Sequence, residues 1–203
     1  MIVLCGNLTI LYCGRFFHCF YLEERKNCAT ALAGHRAAIL FNRGLQKGNY
    51  NMEIIAYEMK YVKDDIEKSN ILCIPFEQKY FQQYMKIYNT CFYEMRKFLA
   101  IEPYNFLNDY KQVREKSKDI FLLVSGEEII GSIACYGNEI DDLIVNKEFQ
   151  NRGYGKQLLL WGMNYIRQTS NEPILLHVAK WNDKAFMLYK KVGFVLTNTV
   201  RVR

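Results

Sequence analysis

The residues whose types and spacing best suggest chemistry lie in the stretch Gln150-Asn-Arg-Gly-Tyr-Gly-Lys156. A β-branched, apolar run precedes Gly153 and Gly155, and apolar residues at helical spacing follow them, so the glycines are predicted to begin a helix. A helix start has unpaired N–H groups and the positive end of the helix dipole, and glycine lets an anion approach the backbone. Arg152 and Lys156 add positive charge. The stretch therefore indicates a phosphate-binding loop.

Two other phosphate motifs are excluded by spacing. The dinucleotide fingerprint needs a third glycine where this chain has Leu158, and the P-loop needs Ser or Thr where it has Gln157. A plain turn between a strand and a helix remains the alternative interpretation of the glycine pair.

A second block begins with the apolar residues that follow Ile174. They predict a strand that ends at a polar turn, where Asn182 or Asp183 can cap the next helix. Gly193 can close that helix, and Phe194 follows it.

The two blocks together resemble the GNAT superfamily of acetyl-CoA-dependent N-acetyltransferases. The shared pattern is Gln-x-x-Gly-x-Gly after a strand, followed by a strand, Asn182 and a helix that ends in Tyr189-x-x-x-Gly-Phe194. The resemblance covers roughly residues 70–200. It implies an α+β GNAT fold, in which helices flank a central mixed, mostly antiparallel sheet and the two central parallel strands splay apart in a V.

Other elements of this fold are predicted ahead of the glycine loop. Residues 120–124 and 129–136 are predicted strands joined by a hairpin turn at 125–128. Residues 76–99 and 103–116 are expected to form the two helices that border the acceptor side. Only residues 195–202 remain for the last strand or strands, so the far wall of the acceptor site is expected to be short or supplied by a partner subunit.

The resemblance implies that acetyl-CoA is the acetyl donor. The Leu143 N–H would face the thioester carbonyl as an oxyanion donor, and the Val145 backbone would hold the pantetheine arm. The amides of residues 151–156 would hold the pyrophosphate, and the Asn182 side chain would touch the arm. The implied cofactor-binding residues are Leu143, Ile144, Val145, Gln150, Asn151, Arg152, Gly153, Tyr154, Gly155, Lys156, Asn182 and Tyr189.

The resemblance also implies catalytic roles besides that of Leu143. Tyr189 would be the general acid that protonates the departing thiolate, although a purely packing role is the alternative. Glu139 or Asp141 would be the general base, and strand alternation places both on one face and Asp142 on the other. A solvated strand end, or recognition of substrate charge, is an equally good interpretation of these carboxylates. His177 is expected to be a satisfied core histidine, and no metal site is predicted.

The acceptor is expected to be a primary amine. Eleven aromatic residues between positions 76 and 110 are mostly core, but some could contact a cationic small molecule. A protein amine stays open as the acceptor, and so does homodimerisation. A non-catalytic acyl-CoA-binding sensor is the alternative function. No nucleic acid or membrane partner is expected, because residues 52–203 carry 21 Lys or Arg against 19 Asp or Glu and contain no spanning segment.

The first 51 residues differ in composition and hold four of the seven cysteines, with six Lys or Arg against two Asp or Glu. Their pattern fits neither a signal peptide nor a spanning helix, and the cysteines lack zinc-ligand spacing. The codons for Lys47-Gly48 contain a ribosome-binding core at start-codon spacing from Met52. Residues 1–51 are therefore interpreted as a non-native or disordered extension, and residues 52–203 as one N-acetyltransferase domain. Scattered cysteines in that domain indicate reduced thiols and a cytoplasmic protein.

Overall fold

Strands and helices alternate along residues 54–98 and 100–202, which the computed structural model describes. The extension inferred for residues 1–51 lies outside this part. The strands are β1 (Ile54–Tyr61), β2 (Ile74–Pro75), β3 (Ile120–Ser125), β4 (Glu128–Tyr136), β5 (Glu139–Val145), β6 (Ile174–Ala179) and β7 (Val195–Val202). The helices are α1 (Phe81–Phe98), α2 (Lys111–Arg114), α3 (Tyr154–Arg167) and α4 (Asp183–Val192).

The strands form one sheet in the order β2-β3-β4-β5-β6-β1-β7. Only β5 and β6 run parallel, and their register consists of Glu139 opposite Leu175 and Ile140 opposite Leu176. Beyond Ile140 the two strands separate while β5 continues along β4. The predicted mixed, mostly antiparallel sheet with a splay between its parallel strands is therefore confirmed.

β1 lies between β6 and β7 and is antiparallel to both. Its Tyr57, Met59 and Tyr61 alternate toward the core, and Met59 is fully buried. The sheet therefore extends beyond β6 by two strands of the same chain. The expectation that this side would be short or supplied by a partner subunit is wrong, because it considered only the strands that follow α4.

Two cores cover the two faces of the sheet. On one face, α3 and α4 pack through residues such as Leu159, Met163 and Tyr189 against residues of β1, β3, β4, β5 and β6. On the other face, α1 packs on β3, β4 and β5 through Tyr84 and Phe92. β4 lies between both cores, and its buried residues alternate between them. The α1 face of β6 and β1 instead presents half-buried polar side chains, among them His177 and Glu58.

The two helices predicted before β3 differ in outcome. α1 forms as predicted, because its buried residues recur every three or four positions over 18 residues without glycine or proline. The helix predicted over residues 103–116 is wrong: only Lys111–Arg114 is α-helical. The Gln112 side chain accepts hydrogen bonds from the Asn108 and Asp109 amides and so favours a turn before the helix. No helix in the described residues is long and apolar enough to cross a membrane.

Local signals predicted several further features correctly. The β3–β4 hairpin turns at Gly126, where the sequence predicted it. Asn182 caps α4 by accepting a hydrogen bond from the Ala185 amide at 3.3 Å. Gly193 ends that helix at φ +120°, and its amide donates to the Tyr189 carbonyl at 3.0 Å. Cys73, Cys91 and Cys135 are buried free thiols, as expected.

Candidate functional site

The predicted phosphate-binding loop forms the start of α3. Gly153 is the N-cap residue at φ +87°, a left-handed conformation that glycine adopts without steric cost. The first backbone N–H groups that donate within the helix are those of Lys156 and Gln157. Both donate to the Gly153 carbonyl, at 3.0 and 3.2 Å. Tyr154 and Gly155 precede them in the first turn, where helical N–H groups have no intrahelical carbonyl to meet. The loop therefore has the backbone geometry of an anion site.

A cavity of about 230 Å³ opens beside this loop. It reaches from the end of β5 to the first turn of α3 and is bordered by one residue of α4. Its lining residues are Val145, Phe149, Gln150, Asn151, Gly153, Tyr154, Gly155, Lys156 and Leu188. The structure thus brings most of the predicted cofactor-binding residues together. Phe149 and Leu188 were missed, and only the position of Leu188 beside Tyr189 could have indicated it.

The cationic side chains of the loop are already engaged. The Lys156 ammonium forms an ion pair with Glu67 at 2.8 Å. The segment that carries Glu67 is fastened to α3 by further bonds, including one from Ser69 Oγ to the Gln157 carbonyl at 2.9 Å. The Arg152 guanidinium lies over the Phe149 ring, 5.4 Å from its centroid. An incoming phosphate would therefore have to compete with Glu67 for the Lys156 ammonium.

The Val145 carbonyl, predicted to hold the pantetheine arm, accepts hydrogen bonds from the protein itself. Gln150 Nε2 donates to it at 2.9 Å, and the Cys91 thiol approaches it at 3.5 Å. Gln150 therefore links the end of β5 to the glycine loop. A ligand that binds this carbonyl must share it with Gln150 or displace its side chain.

The predicted oxyanion donor follows an irregularity in β5. Asp142 has φ +41°, and the β4–β5 register shifts between Ser132 and Ala134. This bulge breaks strand alternation, so Ile140 and Leu143 both face the α3 and α4 core. Leu143 is fully buried and lies on the part of β5 that no longer pairs with β6.

The bulge also overturns the expected separation of the two aspartates. Both Asp141 and Asp142 raise the pKa of the same buried tyrosines, Tyr84 and Tyr88, after the larger effect of burial. Burial first, and then the Asp142 charge, hold the pKa of Asp141 well above its usual range, while burial raises that of Asp142 to about 6. Asp142 Oδ1 is buried and has no hydrogen-bond partner among the described residues. The two carboxylates therefore lie together beside α1.

Glu139 contacts a residue that the sequence had assigned to the core. Glu139 Oε1 lies 3.0 Å from His177 Nδ1, and His177 Nε2 lies 3.9 Å from Glu58 Oε2. His177 is half-buried on the α1 face of the sheet and belongs to neither apolar core. The expectation of a core histidine is therefore wrong, because periodicity alone could not show which residues face it across the sheet.

Tyr189 lies on α4, next to Leu188 of the cavity wall. It is fully buried, and its ring lies 5.9 Å from that of Phe194. Asn182 is also buried, and its side-chain oxygen is used in capping α4. Both residues therefore have a structural role, whatever their part in chemistry.

The sequence model of the acetyltransferase (GNAT) family matches residues 81–194, more than half of the chain. The chain belongs to the GNAT acetyltransferase family. The match contains the glycine loop, the splayed strands and α4, so the cavity lies within the part that defines the family.

Individual relatives of this GNAT domain are distant. Mycothiol acetyltransferases from two strains of Corynebacterium glutamicum are 27% identical to it over 89 residues, which are 41% of this chain and 30% of theirs. The match thus spans less than a third of the length of those relatives.

Solved structures share the fold. An acetyltransferase of the GNAT family from Colwellia psychrerythraea superposes with a TM-score of 0.54 at 12% identity, over 73% of this chain and 54% of that protein. A GCN5-related N-acetyltransferase from Sphaerobacter thermophilus gives a TM-score of 0.50 at 16% identity, over 82% of this chain and 56% of that protein. At such identities the likeness concerns the fold alone.

Proposed function

We propose that this GNAT domain transfers an acetyl group from acetyl-CoA to a primary amine that attacks the thioester directly. The observation that carries the proposal is the cavity of about 230 Å³ that joins the α3 N-terminus to the splayed end of β5. It puts the helix N-terminus at one end of the opening and, at the other, the part of β5 that no longer pairs with β6. A phosphate-bearing thioester fits such an arrangement.

The anion end would bind the pyrophosphate of acetyl-CoA through the amides of residues 151–156. Of these, the Lys156 amide already donates to the Gly153 carbonyl, so its share is smaller. A Cβ at Gly153 would meet nothing within 4 Å, which leaves the loop open on that side. The pantetheine arm would then follow β5 toward Val145, where it would compete with Gln150 for the carbonyl.

The Leu143 N–H would stabilise the oxygen that becomes negative when the amine attacks. Such a donor typically lowers the barrier by about 3 kcal/mol. The bulge at Asp142 supports this role, because it changes the direction of the backbone immediately before Leu143. Ile144 can contribute only backbone groups, since its buried side chain packs in the core beneath α1.

Tyr189 would donate the proton that the departing thiolate needs. The tyrosine is buried next to Leu188, which lines the cavity. Burial would keep water away from the proton donor and the sulfur. A carboxylate of β5, Glu139 or Asp141, would accept the proton that the amine must lose. Asn182 would keep α4, and with it Tyr189, in place through its cap.

A small cationic amine fits the acceptor side of the site. Two carboxylates, Asp141 and Asp142, lie with buried tyrosines of α1 at this face of the sheet. Carboxylates and aromatic faces both attract ammonium groups. The similarity to mycothiol acetyltransferases is confined to less than half of the chain and leaves the acceptor to be set by these residues.

Calorimetric titration of acetyl-CoA into the full-length protein, followed by a thiol-release assay with 1,4-diaminobutane, tests the proposal. Micromolar binding together with amine-dependent thiol release is expected. Binding without release from any amine in a wider panel would favour a non-catalytic acyl-CoA sensor. Absence of binding by the folded protein would overturn the proposed function.

A further inference from the structure

Three adjacent strands bring Glu139, His177 and Glu58 into one row. Glu58 on β1 is directly opposite His177 on β6, and Glu139 on β5 pairs with Leu175, two residues before His177. All three side chains point away from the α3 and α4 core, since their strand neighbours Met59, Leu176 and Ile140 fill that core. The row therefore crosses the sheet on the face that the proposed amine would approach.

The contacts within the row assign the proton on the imidazole. The distance from His177 Nδ1 to Glu139 Oε1 is 3.0 Å. An ionised carboxylate can only accept hydrogen bonds, so Nδ1 must carry the hydrogen. Nε2 then faces Glu58 Oε2 at 3.9 Å, and Glu58 Oε1 accepts a bond from Thr197 Oγ1 at 2.9 Å. The contact between His177 and Glu139 is within hydrogen-bond distance, whereas the separation between His177 and Glu58 is too long for a hydrogen bond.

The row ends at the place where the chemistry is proposed. Glu139 and Ile140 are the last residues of β5 that pair with β6, and Leu143 lies beyond them on the separated part of the strand. The side chains of Glu139 and His177 are only 12% and 14% exposed. A carboxylate at the closed end of the splay, with its direction set by an imidazole, is well placed to meet an amine that enters the opening.

We propose that Glu139 is the general base and that His177 is the positioning residue that orients its carboxylate. The inference rests on the proposed acetyl transfer and deepens it. Glu139 takes one proton from the ammonium form of the acceptor, and the neutral nitrogen forms the C–N bond. The C–S bond then breaks as the thiolate takes a proton from Tyr189, and the second proton lost by the nitrogen returns to the Tyr189 oxygen. Glu139 later returns its proton to water, so one proton is released for each acetyl group transferred.

Asp141 is less suited to the role of base. Its Oδ1 accepts a hydrogen bond from the Asp142 amide at 2.8 Å, and the residue is 6% exposed. Burial acts on this carboxyl first, and the charges of Asp142 and Glu139 then also raise its pKa. It is better placed to attract a cationic group than to receive and release protons.

Nuclear magnetic resonance of the full-length protein with ¹⁵N-labelled histidine tests the arrangement without any acceptor. The chain has three histidines, and His177 is assigned by comparison with His177→Gln. A hydrogen on His177 Nδ1 is expected, with nitrogen shifts that change in Glu139→Gln and stay constant in Glu128→Gln, an exposed control on β4. An Nε2–H tautomer, or shifts insensitive to Glu139→Gln, would overturn the positioning role.

Kinetics with acetyl-CoA and 1,4-diaminobutane test the consequence for catalysis. We expect kcat to fall about 100-fold in Glu139→Gln and about tenfold in His177→Gln, with the KM for acetyl-CoA within about twofold of wild type. The double variant should be no slower than Glu139→Gln alone, because His177 acts only through that carboxylate. If the two substitutions lower kcat by multiplying factors in the double variant, the inference is overturned.

The two arms separate failure of the inference from failure of the proposed function. A wild-type protein that acetylates no amine in a wider panel overturns the proposed function and, with it, the catalytic role of Glu139. Active wild-type protein whose kcat is unchanged in His177→Gln overturns the inference alone. Resolved amide spectra of each variant establish that it is folded.

Discussion

At the scale of single residues, the Tyr189 ring packs in the core, and we propose a catalytic role for its hydroxyl. Its ring fills the core beside Phe194, while its hydroxyl would supply the proton to the thiolate. Tyr189→Phe keeps the ring and removes the proton, so we expect kcat to fall about 100-fold with little change in stability or in acetyl-CoA affinity. Stopped-flow thiol release measures the rate. Tyr165→Phe on α3 is the matched control, and equal rates for both variants would reduce Tyr189 to packing.

Asp142 makes a prediction about pH. Burial raises its pKa to about 6, although Lys116 opposes the rise. An aspartate in the unfolded chain titrates near pH 3.9, so the folded state binds this proton more tightly. The resulting stabilisation is complete below about pH 4 and is lost as the pH rises through 6. The Asp142 carboxylate therefore destabilises the fold at neutral and alkaline pH.

Asp142→Asn should raise the free energy of unfolding at pH 8. One pKa unit corresponds to about 1.4 kcal/mol, and partial exposure of the side chain reduces the gain from this shift to about 2 kcal/mol. The difference from wild type should vanish near pH 4. Urea unfolding at both pH values measures it, with the exposed Asp64→Asn as control. A gain that is independent of pH would contradict the shift.

The local features around single residues could be predicted better than their distant partners. The glycine loop and Tyr189 could be found because their signals are local in the sequence. The pairs Glu139–His177 and His177–Glu58 could not, since they depend on the register of strands that lie far apart in the chain. The same is true of Glu67, whose ion pair with Lys156 spans 89 positions.

At the scale of elements, the proposed phosphate contacts would all lie at the start of α3. Gly153→Glu should weaken acetyl-CoA binding at least tenfold, because it places a negative charge at the anion site. Gly153→Gln carries the same backbone strain at φ +87° without the charge, so it should retain much more affinity. Calorimetric titration of both variants measures the difference. Equal losses would mean that strain, and not charge, disturbs the loop.

Elements with local start and stop signals were predicted well. Elements in which side-chain hydrogen bonds compete with the helix were not. α4 has an asparagine cap and a terminal glycine, and both form as expected. The region before α2 lacks such start and stop signals. The Asn108 and Asp109 amides donate hydrogen bonds to the Gln112 side chain there, and a turn forms instead of a longer helix. The β5 bulge is a further departure, since alternation gave no sign of the positive φ at Asp142.

At the scale of the whole molecule, the sheet depends on β1. This strand joins β6 to β7, although it precedes β6 by more than 100 residues. Local patterns predict strands but not such long-range pairing, so the position of β1 could not be foreseen. Its insertion carries Glu58 to His177 and completes the face on which the acceptor would bind.

The central place of β1 predicts a large effect of Met59→Ala. Met59 is fully buried, and truncation of such a side chain typically costs 2 to 5 kcal/mol. We expect the free energy of unfolding to fall by about 3 kcal/mol, whereas Lys60→Ala on the opposite face should change it by less than about 1 kcal/mol. Chemical denaturation measures both. Similar small effects would mean that β1 is only loosely attached.

The central claim is transfer of acetyl to an amine within this fold, and one measurement addresses it most directly. Full-length protein is incubated with ¹³C-acetyl-CoA and a panel of primary amines, and the products are identified by mass spectrometry. The account predicts labelled N-acetyl amine, formed fastest from small cationic amines. Labelled acetate alone, or unchanged acetyl-CoA in the presence of bound protein, would contradict it.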